Sequence, residues 1–406
     1  MIMTLKRFIY AIALGALSLT YTSCYNADKE FPDYQGGTTA YFAYQFPVRT
    51  LVLGNDIYDN TLDNAHKCRI WSTMGGAYGG RDASVSIVVD PTLCDNLYFT
   101  DAGGNAAEPV RPMPASYYQL STNAIQYNGD ARGYVEVQFT DEFFNDPKAI
   151  ENTYVIPLLM METSGIDHIL RGSPLVDLTY TPSRTDLQNW DVLAKDYVLY
   201  CVKYMNPWQG KYIRRGVDVV SENNVAQTYV RKDTMLVRTD PEHYTENPIN
   251  QNDEICSILT KSMTQATFPV SINIGKDASG AARPSQRCNL ILTFNGNDCT
   301  ISTDGTEETI AGSGSGEYIA KGTERAEYKD YQWGSMNGEP VQRDILRLAY
   351  SVTFKKGRLI GTKNVNGKEV DWILENDVQV STADTLVVQT RESNQKVFFS
   401  PKYVKN

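Results

Sequence analysis

The chain has 406 residues, enough for two or three domains, and is 42% hydrophobic, 11% aromatic and 21% charged, so it can bury sizeable cores and is not disordered as a whole. Acidic residues outnumber basic ones 48 to 38, a net charge of −10 with no basic stripe to offset it, which excludes nucleic acid as a natural partner. Three histidines against 26 tyrosines leave little material for metal chemistry or His-based catalysis, and neither a cofactor nor a metal is expected.

Residues 1–23 read as a signal peptide. Lys6 and Arg7 supply a positive start, and Phe8 to Leu19 form an apolar run of about a dozen residues, short of the roughly 20 that span a bilayer as a helix. The run ends in Tyr21-Thr22-Ser23-Cys24, which resembles a bacterial lipobox, the motif whose cysteine is lipidated and becomes the new N-terminus. Tyr21 departs from the usual leucine, while a small Ser23 is tolerated in Bacteroidetes lipoproteins. Plain secretion with an incidental cysteine is the alternative. Residues 24–39 then form a lipidated tether, opened by the polar Tyr25-Asn26-Ala27-Asp28-Lys29-Glu30. Losing Lys6 and Arg7 leaves 36 basic against 48 acidic residues, a mature charge of −12. The expected place is the outer membrane, lipid-anchored at the cell surface.

Beyond the tether, alternating and β-branched runs dominate and helical periodicity is scarce. Ala83–Asp90, Gly133–Thr140 and Thr153–Glu162 read as strands separated by loops rich in Gly, Pro and Asn, the pattern of a β-sandwich over residues 40–180. A short helical turn is expected at "DEFFNDPKAIEN", capped by Asp141 and limited by Pro147. The polar stretch Leu175 to Asp191 marks a linker, placed at 181–195. "DYVLYCVKYM" (Asp196–Met205) is expected to open a second domain, 196–406, of some eight strands separated by turns such as Lys355-Lys356-Gly357 and Asn366-Gly367. In Asp344–Phe354, Leu346, Leu348, Tyr350, Val352 and Phe354 share one face, which suits a lipocalin-like antiparallel barrel. "GSGSG" (Gly312 to Gly316) reads as a flexible loop and lacks the spacing of a phosphate loop. The fold class is therefore all-β, a sandwich followed by a barrel.

Six cysteines follow Cys24. "RCNLILTFNGNDCTIS" reads as a hairpin turning at Asn295-Gly296, so that Cys299 faces Leu292 and Cys288 faces Thr303. The two do not meet, and buried free thiols are expected in place of a bridge. No CxxC or His/Cys cluster points to zinc.

"YFAYQFPVRTLVLGNDIYDNTLDNAHKCRIWSTMGG" (Tyr41–Gly76), with "TLCDNLYF" and "MPASYYQL", resembles an N-terminal domain family of Bacteroidetes surface lipoproteins. "NTYVIPLLM" and "WDVLAKDYVLYCVKYMNPWQGKYIRRG" are similar to its continuation into a lipocalin-like C-terminal domain. The resemblance implies a glycan-utilisation setting: a lipoprotein that holds polysaccharide or host glycan, partnered by the membrane through its lipid and by an outer-membrane glycan transporter complex. It transfers no catalytic residue.

Carbohydrate recognition needs aromatic faces for the apolar side of a sugar ring and planar polar groups for its hydroxyls. The sharpest candidate is "EYKDYQWGSMNGEPVQRD": Tyr331 and Trp333 alternate onto one face beside Gln332 and Asn337, with a barrel-core Trp333 as the bland alternative. "YMNPWQGKY" offers Trp208 and Tyr212, or else a plug at the barrel end. Trp372 reads as structural, while Trp71 and Tyr117-Tyr118 stay undecided. Asp56, Asp59 and Asp63 read as a solvated loop, and His66, His168 and His243 as surface residues. The expectation is a non-catalytic glycan-binding lipoprotein; a structural or adhesive fimbrial-like protein and a glycoside hydrolase are the alternatives, the first needing an unpaired sheet edge and the second two facing carboxylates. Replacing Cys24 with alanine should release the protein from the membrane fraction without detergent; retention in that fraction would refute the anchor.

Overall fold

The computed structural model describes residues 32–231, 254–324, 335–336, 339–340, 342–393 and 397–405. Its first unit is built from β1 (Thr39–Tyr41), β2 (Pro47–Val52), β3 (Lys67–Gly75), β4 (Ser84–Val89), β5 (Ala124–Gln126), β6 (Arg132–Phe139), β7 (Tyr154–Ser164) and β8 (Tyr197–Met205). They lie in one mixed sheet in the order β1-β3-β6-β5-β4-β7-β8-β2, edged by His168–Ile169 and Val397–Phe398. Most neighbours are antiparallel, but β8 runs parallel to β2. The sandwich expected here is thus a single sheet curled over its own core, in which Phe42, Leu51, Ile70, Val85, Val137, Leu158 and Val198 from both ends of the strand order pack together. The helical turn appears as Asp141–Asn145 and Pro147–Ile150. Thr140 holds the first cap position in place of Asp141, and Asp146 caps the second turn by accepting from the Lys148 backbone N–H at 2.8 Å.

Two boundary expectations are corrected. β8 does not open the second domain, because it pairs with β7 and β2 and buries Val198 and Val202 in the first core. The second domain does not keep the C-terminus either: Val397–Phe398 pairs with β2, and Pro401–Tyr403 pairs with Leu97–Thr100. Val397 and Phe398 stay exposed, while the neighbouring Phe399 and Tyr403 pack with Leu97, Phe99 and Tyr197 of the first unit, a contact that is not local in sequence.

The second unit comprises β9 (Gly210–Glu222), β10 (Val225–Arg231), β11 (Glu254–Thr260), β12 (Gln265–Ile272), β13 (Gln286–Asn295), β14 (Asp298–Thr303), β15 (Ile310–Ile319), β16 (Ile345–Phe354) and β17 (Val378–Thr390). The order β9-β11-β12-β13-β14-β15-β16-β17 closes on β9, giving the eight-stranded antiparallel barrel. β10 and β11 pair with successive halves of β9, so the two share one strand position. The alternating face of β16 points inward as expected, with Leu346, Leu348, Tyr350, Val352 and Phe354 all buried. Asn366 and Gly367 both have positive φ, the type I′ arrangement.

"GSGSG" is not a flexible loop. It is the middle of β15, paired to β16 throughout and to β14 from Ser313 onward. A Cβ on Gly314 would meet the Tyr350 Cα at 2.6 Å, and one on Gly316 would meet the Leu348 Cδ2 at 2.6 Å. The glycines face inward and give their space to the large residues of β16, while the serines face out. The β13–β14 hairpin turns at Gly296-Asn297, one residue later than expected, so Phe294 faces Cys299. Gly296 takes φ +63° at the first loop position, where a II′ turn favours glycine. Each partner moves by two residues, so every side chain keeps its face. All six cysteines of the described residues are free and buried, and burial pushes the Cys68 and Cys201 thiols up to about 12.

At the joint, the Arg391 guanidinium donates to the carbonyls of Leu53 (2.9 Å) and Asn55 (2.6 Å) in the first unit, and of Asn206 (2.6 Å) and Gln209 (3.2 Å) beside the barrel. Gly314→Val should cost about 1–3 kcal/mol in urea unfolding through overpacking, whereas Ser315→Val on the outer face should be near neutral. Equal effects would mean that β15 does not sit in this register.

Candidate functional site

Where the structure places the expected glycan residues decides much of the reading. Tyr331, Trp333, Gln332 and Asn337 lie outside the described residues, as do Cys24 and His243. Trp208 and Tyr212 are corrected: they are 8% and 0% exposed. The Trp208 ring stacks on Phe294 at 3.7 Å with planes 5° apart, and the Tyr212 hydroxyl donates to the Trp208 carbonyl at 2.6 Å. Neither ring has a face to offer a sugar. Their polar neighbours are engaged as well. Asn206 donates to the Ser262 and Gln265 carbonyls and accepts from the Trp208 and Gln209 N–H groups, while the Gln209 side chain accepts from Thr260. This segment plugs the barrel end. Trp372 is buried too, with the Lys363 ammonium 5.4 Å from its ring centre.

The barrel interior also holds charge. Arg214 donates to Asp384 Oδ2 (2.9 Å), Glu254 Oε1 (2.9 Å) and the Tyr350 hydroxyl (3.0 Å), and Tyr350 donates to Asp384 at 2.9 Å. Arg231 pairs with both Asp384 and Asp218, and Thr382 donates to Asp218 at 2.7 Å. Burial opposes the Arg214 charge, but Asp384, Tyr350 and Glu254 outweigh it and hold the guanidinium above its ordinary range. Two aspartates in one interior raise the question of the carboxylate pair that glycoside hydrolysis needs. Each is saturated by guanidinium or hydroxyl donors, and the Asp384 side chain is 0% exposed, so neither is placed to reach a substrate.

In the first unit Asp63 is not in a solvated loop. It is fully buried, pairs with Arg49 and accepts the Val52 N–H at 2.9 Å, and burial pushes its carboxyl up. Asp59 and Asp56 only close local turns on Thr61 and Tyr58. Among the described residues no cluster of three or more His, Cys, Asp or Glu could hold a metal. Tyr117 donates its hydroxyl to Asp146 at 2.9 Å and meets Tyr154 edge-on, at the rim of the core. His66 packs on Phe144.

Trp71 is different. β3 and β6 bury Cys68, Ile70, Val135 and Val137 on one face and turn Lys67, Arg69, Trp71, Arg132, Tyr134 and Glu136 outward on the other. Trp71 stands directly opposite Tyr134, ring centres 4.7 Å apart, and is 44% exposed. The Arg132 guanidinium lies 5.5 Å from the Trp71 ring and that of Arg69 4.5 Å from the Tyr134 ring, so guanidiniums flank the aromatic pair at both ends. Glu136 accepts from Lys67 at 2.8 Å; that bond, with Arg69 nearby, holds its carboxyl below the ordinary range. The exposed Gln126 of β5 faces Tyr134 from the other side. Sequence reasoning missed Tyr134. The signal was present, since "GYVEVQFT" and "KCRIWSTMG" each carry an aromatic on the polar face of an alternating strand. A groove of about 980 Å³ also crosses the outer barrel wall past Arg347, Glu317, Ala349 and Ala383, but among the described residues its lining has no exposed aromatic.

The molecule is thus a two-domain, all-β protein, a curled mixed sheet followed by an eight-stranded barrel. A family model described only as an N-terminal domain matches residues 34–167, and a domain of unknown function, DUF5627, matches 207–392, the span of the barrel. The crystal structure of a Bacteroides ovatus protein of unknown function is 34% identical, covering 92% of this chain and 100% of its own, with a TM-score of 0.69. The chain belongs to the family of that protein. A multidomain Bacteroides ovatus protein including DUF1735 is 11% identical with a TM-score of 0.35, covering 89% of this chain and 99% of its own, too remote to argue from. No curated protein matches the chain. Asp384→Asn should destabilise the protein by about 3–5 kcal/mol, because it leaves Arg214 and Arg231 short of a buried counter-charge. A stable Asp384→Asn variant would overturn the structural assignment of this cluster.

Proposed function

We propose that the protein is a non-catalytic, lipid-anchored surface protein that binds polysaccharide or host glycan for a glycan-utilisation system, alongside an outer-membrane glycan transporter. The observation that carries the reading is the pair of exposed Trp71 and half-buried Tyr134 on neighbouring strands, flanked by planar Arg69, Arg132 and Gln126. Such a face supplies apolar area for a sugar ring and fork-shaped donors for its hydroxyls, as stacking recognition requires. The saturated aspartates of the barrel favour binding over hydrolysis. The edges of the first sheet favour it over strand exchange, since both are strands of two residues and offer an incoming strand little length.

A glycan array with residues 25–406, followed by titration of each hit, tests the reading. Trp71→Ala should weaken binding by about 1–3 kcal/mol, roughly 5- to 150-fold, because truncating an anchoring aromatic removes its contact area. The melting temperature should hardly move, since the ring is already half in water. Unchanged affinity in the folded variant would remove the face from consideration.

A further inference from the structure

We propose that the ladder of outward side chains on β3 and β6 selects an acidic glycan, one that carries uronate carboxylates along its chain; this rests on the reading of that face as a glycan site. The ladder brings three cations, Lys67, Arg69 and Arg132, against one carboxylate, Glu136, on a chain whose net charge is −10. Glu136 is committed to Lys67 at 2.8 Å and to Arg69 at 3.6 Å. Arg132 is exposed, and among the described residues its guanidinium has no carboxylate within ion-pair distance. Asp130, at the turn before β6, spends one oxygen on the Arg132 backbone N–H at 3.1 Å. The Arg69 Nε is buried and lies 3.6 Å from Glu136 Oε2, beyond hydrogen-bond length.

The pattern is thus a cation surplus concentrated around the exposed Trp71 ring, on a protein whose net charge otherwise repels anions. A guanidinium held over a ring keeps its N–H fork for a planar anion, and a carboxylate fits that fork with two parallel bonds. Arg132 stands level with Thr73, four residues along the strand from Arg69, so the two side chains leave the backbone about 13 Å apart. That spacing exceeds one sugar ring and asks for anions repeated along an oligomer.

Calorimetric titration of residues 25–406 with oligogalacturonate, and with a neutral cello-oligosaccharide of equal length, tests this at low and high salt. Oligogalacturonate should bind at least tenfold tighter than the neutral chain and weaken as salt rises. An Arg69→Gln/Arg132→Gln variant should lose about tenfold or more for the acid while keeping its melting temperature. Oligogalacturonate binding that ignores both substitutions would overturn the inference. So would Trp71-dependent binding of the neutral chain with no preference for the acid, although the aromatic reading would then stand. Failure of both probes, and of every glycan on the array, would overturn the two together.

Discussion

The buried guanidinium of Arg391 is the contact on which the two-domain arrangement rests. It leaves the end of the last barrel strand and donates to carbonyls from the β2 exit and from the joint that leads into β9. A carbonyl stranded without a donor in a dry interface costs on the order of 1–3 kcal/mol, so Arg391 reinforces segments already joined by the Val52–Met205 pairing and the Asn206 hydrogen bonds. The chain then continues from Arg391 into the strands that complete the first unit. The barrel is thus tied to the first unit at the Arg391 joint and again through the C-terminal strands.

The two units differ in what their interiors and surfaces offer. A barrel of eight strands can enclose a small ligand, but here large residues and a charge cluster occupy the middle of the interior. Glycines in β15 let Tyr350 and Leu348 fill the space, Arg214 ties Asp384, Glu254 and Tyr350 across it, and the Trp208–Phe294 stack stops one end. An arginine inside a barrel is tolerable only with its donors met, which explains why acids on three different strands converge on it and on Arg231. Among the described residues the barrel interior is packed, and exposed aromatic surface backed by strand hydrogen bonds lies on the other unit.

What the sequence reveals follows the range of the forces involved. Alternation is local, so the inward face of β16 and the Asn366-Gly367 turn are legible in it. The role of "GSGSG" is not, because glycine signals looseness until the bulky partners on the next strand are known. The strand "DYVLYCVKYM" cannot be assigned to its sheet from sequence, since a run apolar on both faces fits any buried position. Trp208 and Tyr212 stand out by residue type, yet burial decides whether a ring is a platform or a plug. Trp71 carries no special weight in the sequence, because its partner Tyr134 lies across a strand pairing some sixty residues away in the chain.

The most direct measurement follows the indole N–H signals of the tryptophans by NMR during titration with the best-bound glycan. Trp71 lies on the face assigned to binding, whereas Trp208 and Trp372 are buried in the scaffold. The account predicts that the Trp71 signal shifts in step with saturation while those of Trp208 and Trp372 stay in place. A shift at any other tryptophan with Trp71 unmoved would contradict it.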